Sequence, residues 1–415
     1  MLRKHAEACQ LDLFKAALTQ IIDLKHPLVI LADKIPWKQL EKQLEVLYSH
    51  TGTPSHTLHK MLGLLILQSI YKLSDKRAVE LWRENPYWQY FCGEHFFQLQ
   101  APCAQSDMTH FRQRLTPKGI QAILAVSLQM HAKTIRKAQQ ILVDTTVQPA
   151  NITYPTDAKL YKKVIDKCNS IAQKTNLKLR QCYKFVVKKL IYQQRYYKIK
   201  HHAHKARKAT KRLKTLAAKQ LRDLQRKLHQ VGQQHIYQPI MQIMQKVVTQ
   251  SRHTKNKIYS LCSPQVSCIA KGKVDKKYEF GSKVSIVSLP GSNVVLSALT
   301  HAGNPHDSQT LAESITSAQS ITGKTFARAI VDRGYRGSKT VGNTTIILPG
   351  SSKKYNRYER YRHKQRCRLR SGIEATISHL KLDHRLGRNY LKGTVGAQMN
   401  ALLAAIGINF KWLLQ

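Results

Sequence analysis

The stretch Arg368-Leu-Arg-Ser-Gly-Ile-Glu-Ala-Thr-Ile-Ser-His-Leu-Lys381 reads as a helix with two faces. Arg370, Glu374 and Lys381 stand four and seven residues apart, which places them on one side of an α-helix. Ile373, Ile377 and Leu380 form a separate apolar stripe that can seat the helix on a core. One acid between two cations suits a site that handles phosphate and metal together. The same letters carry a second reading. Ser371-Gly-Ile-Glu374 has the pattern of a capping box, with Ser371 as N-cap and Glu374 reaching back to its amide. The helix alone does not choose between them.

Two apolar runs upstream end in aspartate. Gln139-Gln-Ile-Leu-Val-Asp-Thr-Thr-Val147 contains a short run fit for a buried strand, with Asp144 at its end. Phe326-Ala-Arg-Ala-Ile-Val-Asp332 repeats the design and is followed by Arg333-Gly-Tyr-Arg336. A carboxylate beside a buried strand is costly unless it is paired, hydrogen-bonded or bound to metal. A turn acid held by backbone amides is the alternative reading for Asp144. Between the two runs, Tyr278–Ser288 and Asn293–Leu299 alternate like strands around Pro290-Gly291, and Asn304-Pro-His-Asp-Ser308 can cap a helix. Asn343–Leu348 reads as a further strand. Acids from two strand ends and one helix can meet above a sheet edge. Such a cluster repels itself at neutral pH unless divalent cations occupy it, and hard oxygen donors favour Mg²⁺ or Mn²⁺. Two such ions stabilise both the attacking and the leaving oxygen at a phosphodiester.

Charge names the class of partner. The 415 residues carry 69 Lys+Arg against 23 Asp+Glu, a net charge of +46. Self-repulsion on that scale opposes compaction unless a polyanion is near, so nucleic acid is the expected partner, bound with strong salt dependence. The opening residues lack the pattern of a signal peptide, and Met61–Leu73 is too short to span a bilayer, so no membrane role and no small-molecule substrate are expected. Eight scattered cysteines without a CxxC pair fit a reducing, cytoplasmic setting.

Residues 1–135 read as all helical, beginning with an apolar run at helical spacing from Cys9 to Leu24. Within them Asp107–Leu115 is a candidate DNA-contact helix, projecting His110, Arg112 and Arg114 near one another; a plain solvated face is the competing reading. Asp157 is expected to cap a helix from Ala158, opening a basic helical insertion over 158–255. Between Arg195 and Lys227 lie thirteen Lys or Arg and a single acid, Asp223. Ala217, Leu221, Leu224, Leu228 and Val231 form a coiled-coil-like seam, which predicts a helical hairpin.

Taken together these segments resemble bacterial insertion-sequence transposases of the DDE class, within the insertion-sequence-five family of the insertion-sequence-four-like superfamily. The resemblance rests on Val143-Asp-Thr-Thr-Val147, Pro155-Thr-Asp-Ala-Lys-Leu160, Tyr278-Glu-Phe-Gly-Ser-Lys-Val284, Val331-Asp-Arg-Gly-Tyr-Arg336, Arg370–Lys381 and Asp383-His-Arg-Leu-Gly-Arg-Asn-Tyr-Leu391. Leu73-Ser-Asp75 and Glu84-Asn-Pro-Tyr-Trp-Gln-Tyr-Phe-Cys-Gly93 resemble the helical N-terminal part of the same proteins. The resemblance implies an α+β fold: an RNase H-like mixed-sheet catalytic core at 136–415, with the helical insertion, preceded by a helical DNA-binding domain. It implies Asp144, Asp332 and Glu374 as catalytic metal ligands for two Mg²⁺ or Mn²⁺ ions. Arg370 and Lys381, with Arg333 and Arg336, are implied to grip DNA. The family signature has a tyrosine where this chain has Cys367. The implied partners are double-stranded DNA, as terminal inverted repeats and target, with a homodimer formed on DNA at the nucleoid. A nuclease without strand transfer, and a non-enzymatic DNA-binding descendant, share most of these features.

Overall fold

The apolar run Ile141–Val143 is fully buried and opens strand β1 (Gln140–Pro149), as expected of a strand covered on both faces. In the computed structural model, which describes residues 16–49, 51, 55–196, 199–251, 253–270, 277–337, 339–349 and 356–414, β1 continues five residues past Asp144. Asp144 is therefore within the strand, not at its end as the sequence predicts. The pattern Thr-Thr-Val-Gln keeps alternating, and Val147 and Gln148 are buried in turn.

The chain divides into two compact units, one made of Met1–Pro149 with Lys283–Gln415, the other of Ala150–Ser282. In the first, helices α1 (Leu18–Ile21), α2 (Pro27–Lys34), α3 (Trp37–Glu45), α4 (Leu58–Ile70), α5 (Asp75–Glu84), α6 (Pro86–Phe91), α7 (Gln105–Met130) and α8 (Ala132–Lys137) precede β1. The first part of the expected Cys9–Leu24 helix lies outside the described residues. Ser74 caps α5 by accepting from the Arg77 amide, and Asn85 caps α6 with Pro86 at its first position. Within α7, Thr116 leaves helical geometry (φ 54°, ψ 176°) because Pro117 follows it.

In the second unit α9 (Asp157–Lys174), α10 (Lys184–Arg195), α11 (Ala203–Gln230) and α12 (Gln234–Thr249) pack together, so the expected hairpin is a four-helix assembly. Thr156, not Asp157, caps α9; Asp157 instead pairs with Lys257 at 2.9 Å. The seam on α11 is buried from Ala217 to Leu228, whereas Val231 is exposed. Strand β2 (Ser267–Ala270) pairs antiparallel with the first residues of β3 (Tyr278–Ser288).

The rest of β3 lies in the first unit and pairs antiparallel with β4 (Val295–His301). After α13 (Asp307–Thr322) come β5 (Arg328–Ile330), β6 (Thr340–Val341) and β7 (Thr344–Ile347), with β1, β5 and β7 parallel. The sheet runs β3-β1-β5-β7-β6, with β4 on the far side of β3. It is a mixed sheet with helices. The chain closes with α14 (Arg357–Leu369), α15 (Ser371–Asp383) and α16 (Gly393–Lys411).

The N-terminal helices do not stand apart as a domain of their own. Helix α16 is apolar around most of its circumference and lies against α4, α7 and β4, so one core joins Leu62 and Leu124 to Val295 and Ile406. Gly407 makes this approach possible, since a side chain there would strike the Ser69 carbonyl of α4.

Candidate active site

Strands β1 and β5 are parallel, with Leu142 opposite Ile330. Asp144 and Asp332 each lie two residues beyond that pair. Adjacent strands lie about 4.8 Å apart, so equal offsets bring the two acids side by side. Asp332 caps a single 3-10 turn, Arg333–Tyr335, accepting from the Arg333 amide at 2.5 Å. The Asp144 carboxylate accepts from the Thr145 amide at 2.7 Å. Burial, opposed by that amide bond and by Arg370 and reinforced by the charges of Asp332 and Asp307, pushes Asp144 up to about 6.

Helix α15, which carries Glu374, is seated on this edge through Ile373. Ile373 on α15 buries itself against Leu142 and Ile330, the last paired residues of β1 and β5, with Ile347 and Ile377 beside them. Thr376 is tied to Asn293 by a 3.0 Å hydrogen bond. Helix α14 gives way to α15 at Arg370. The capping box does not form: the Ser371 hydroxyl donates to the Arg368 carbonyl, and Glu374 accepts from Arg370 at 3.1 Å. Arg370 also approaches Asp332 to 3.9 Å.

These donors fit a hard divalent cation in kind. Asp144 and Asp332 crowd one another as a shared ion would relieve, and Glu374 adds a third oxygen donor on a helix seated on both strands. They are not closed around an ion here. Among the described residues no three acids, histidines or cysteines are grouped to hold one, and Arg370 is the counter-charge of Glu374.

The expected cations are distributed unevenly. Arg333 and Arg336 are exposed on the turn after Asp332, the Arg333 side chain donating to the Pro349 carbonyl at 3.2 Å. Lys381 lines an open cavity of about 1230 Å³ together with Lys72, Arg385, Arg388 and Tyr390. Arg114 is exposed and stacks over Tyr48 at 4.5 Å. Arg112 corrects the sequence expectation of a DNA contact. It is 5% exposed and forms a two-pronged bond to Asp75, at 2.9 and 2.5 Å, with Gln68 at 3.2 Å. Burial of an arginine in the helical core requires such a partner, and Asp75 supplies it. Cys367 is half-buried on α14, 3.5 Å from His363.

Sequence reasoning missed Asp307. It read Asn304–Ser308 only as a cap, and His306 does cap α13. Asp307, the first residue of that helix, accepts from the Thr145 hydroxyl at 2.7 Å and pairs with buried Lys283 at 2.5 Å. The signal available was an acid next to a helix cap and a lone lysine just ahead of the run Val284-Ser-Ile-Val287. Tyr335 is also buried here, its hydroxyl held far above the ordinary range by burial and by the charges of Asp144 and Asp307.

Residues 16–114 match the family described as transposase domain (DUF772), and residues 249–410 match the transposase DDE domain. Asp332 and Glu374 fall inside the second match; Asp144 lies between the two. The chain is similar to an uncharacterised protein, ORF8 in the nfe locus of Rhizobium meliloti, at 38% identity over 190 residues, 45% of this chain and 92% of that one. No solved structure matches it. No helix among the described residues is long and apolar enough to cross a membrane. With a transposase domain followed by a transposase DDE domain along the chain, the protein belongs to the insertion-sequence transposases that carry a DDE domain.

Proposed function

We propose that the protein binds the terminal inverted repeats of its own element and catalyses divalent-metal-dependent strand cleavage and strand transfer, with Asp144, Asp332 and Glu374 as the ligand set. The placement of Asp144 and Asp332 two residues beyond the paired Leu142 and Ile330, on which the Glu374 helix is seated, carries this reading. The strand order β4-β3-β1-β5-β7, antiparallel then parallel, supports an RNase H-like core. The blocks quoted above support the insertion-sequence-five family.

Bound Mg²⁺ or Mn²⁺ supplies activation of the attacking hydroxyl and neutralisation of charge on the leaving oxygen. The chain's own residues do the rest. Asp144 is held within β1 and Asp332 at the cap of the turn that follows β5, so neither has to be ordered when DNA arrives. Arg370 exchanges its carboxylate partners for a DNA phosphate, which frees Glu374 to join the two aspartates. Arg333 and Arg336 flank the scissile strand, and Lys381 holds the same strand two helical turns from Glu374. A 3′-hydroxyl released by the first cut attacks a phosphodiester of target DNA at the same carboxylates, and the 3′-oxygen of the target strand leaves. No covalent protein–DNA link is involved. Two protomers on DNA hold the two element ends.

The test is incubation of the protein with its element ends, a target plasmid and Mg²⁺, followed by sequencing of the products. Element–target junctions support the proposal. Cut ends without junctions would assign a nuclease instead, and intact DNA with retained end binding would assign a binding protein.

A further inference from the structure

Asp307 lies against residues that follow each of the two aspartates. Its Oδ1 accepts from the hydroxyl of Thr145, the residue after Asp144, at 2.7 Å. Its Oδ2 faces Gly334, two residues after Asp332, so closely that a Cβ on Gly334 would lie 3.0 Å from it. The carboxylate is itself fixed from below. Lys283 on β3, with its side chain 10% exposed, reaches Asp307 Oδ1 at 2.5 Å and donates to the Pro305 carbonyl at 2.8 Å. A charged lysine inside a sheet is costly unless its partner is well placed, and removing Asp307 leaves the Lys283 ammonium buried with a carbonyl but no counter-charge from Asp307.

We infer that Asp307, held by Lys283, is a positioning residue that sets the spacing between Asp144 and Asp332. This rests on the proposed role of those two aspartates as cation ligands. Asp307 acts through its neighbours: Oδ1 is already shared between a hydroxyl and an ammonium, which leaves it poorly suited to serve as a ligand. Its place at the start of α13 means that the clamp is anchored in a 16-residue helix, not in a loop. Gly334 is the complementary half, because a side chain there would press the carboxylate aside by a few tenths of an ångström.

The test measures Mn²⁺ binding to the DNA-free protein by electron paramagnetic resonance, alongside DNA-end affinity and joining rate. Asp144→Asn identifies the binding that depends on the aspartate pair. Asp307→Ala, Lys283→Met and Gly334→Ala are each expected to weaken that binding about tenfold, the usual cost of losing a residue that orients a ligand. Joining at saturating DNA should slow in step, with DNA-end affinity unchanged. Asp307→Asn, which keeps an acceptor for Thr145, should recover part of the loss. Gly334→Ala reads the same clamp from its other side in a chain whose Lys283–Asp307 pair is intact, so a folding failure of the other variants does not decide the matter.

Variants that bind Mn²⁺ as tightly as the wild type, in a protein whose binding Asp144→Asn abolishes, would overturn the inference and leave the proposed function standing. Loss of one bound ion in Asp307→Asn as complete as in Asp144→Asn would make Asp307 a ligand and also overturn it. Wild-type protein with no Asp144-dependent Mn²⁺ binding would overturn the ligand assignment and the clamp together.

Discussion

Arg370 bonds Glu374 Oε1 at 3.1 Å and approaches Asp332 Oδ2 at 3.9 Å, so one guanidinium bridges two of the three acids. Glu374 and Asp332 are 62% and 48% exposed, and exposed pairs of this kind contribute about 0–1 kcal/mol. An arginine held that weakly is easily transferred to a phosphate. Arg370→Ala is therefore expected to leave stability nearly unchanged while weakening DNA-end binding. The plot of log affinity against log salt should lose about 0.9 from its slope, one phosphate contact's worth. An unchanged slope would show that Arg370 stays on the carboxylates.

Asp144 makes stability depend on pH in a defined direction. Its folded-state value of about 6 lies above the ordinary 3.8, so the folded protein holds the proton more tightly than the unfolded chain. Stability is undiminished below about pH 4, falls as pH rises toward about 6, and stays reduced above that, by at most roughly 3 kcal/mol. In chelator-containing buffer, Asp144→Asn should remove this slope and raise the melting temperature at pH 7. Mn²⁺ should raise the melting temperature of the wild type and not of the variant. A melting profile with the same slope in both proteins would remove Asp144 as its source.

Arg112 belongs to the core. Burial pushes Asp75 up, but hydrogen bonds and charge from Arg112 outweigh it and hold the carboxyl below its ordinary range. Arg112→Ala leaves Asp75 buried without its partner and should cost about 3–5 kcal/mol in denaturant unfolding. DNA affinity measured well below the unfolding transition should not change. A loss of affinity at constant stability would return Arg112 to the DNA surface.

How much of this was legible follows from where each residue's partner lies. The two Asp-ended runs were readable because a buried parallel strand is a local apolar signal, and Leu142 and Ile330 pair in register. The seating of the Glu374 helix was readable from Ile373 and Leu380, both fully buried. Glu374's choice between cap and site was not, because the arginine that decides it is four residues away and serves a second acid 38 positions upstream of it, Asp332. Arg112 and Asp307 were misread or missed for one reason. Their partners, Asp75 and Lys283, are 37 and 24 positions distant, and no periodicity encodes such a pairing. The merger of the N-terminal helices with the sheet was hidden likewise, since α16 reads as a buried helix without naming what buries it.

Ile373 tests the seating of the site. Ile373→Ala removes the side chain that fills the gap between Leu142 and Ile330 and should cost about 2–4 kcal/mol. Ile373→Val should cost about 1 kcal/mol and keep most activity. If the alanine variant folds as stably as the wild type, the helix is not seated by this contact.

The central claim is that Asp144, Asp332 and Glu374 act as one set on DNA. Its most direct measurement compares Asp144→Asn, Asp332→Asn and Glu374→Gln with the wild type in end binding, Mg²⁺-dependent cleavage and joining. Each variant is expected to bind ends as the wild type does and to lose both cleavage and joining. Cleavage at the wild-type rate by any one of the three would contradict the account.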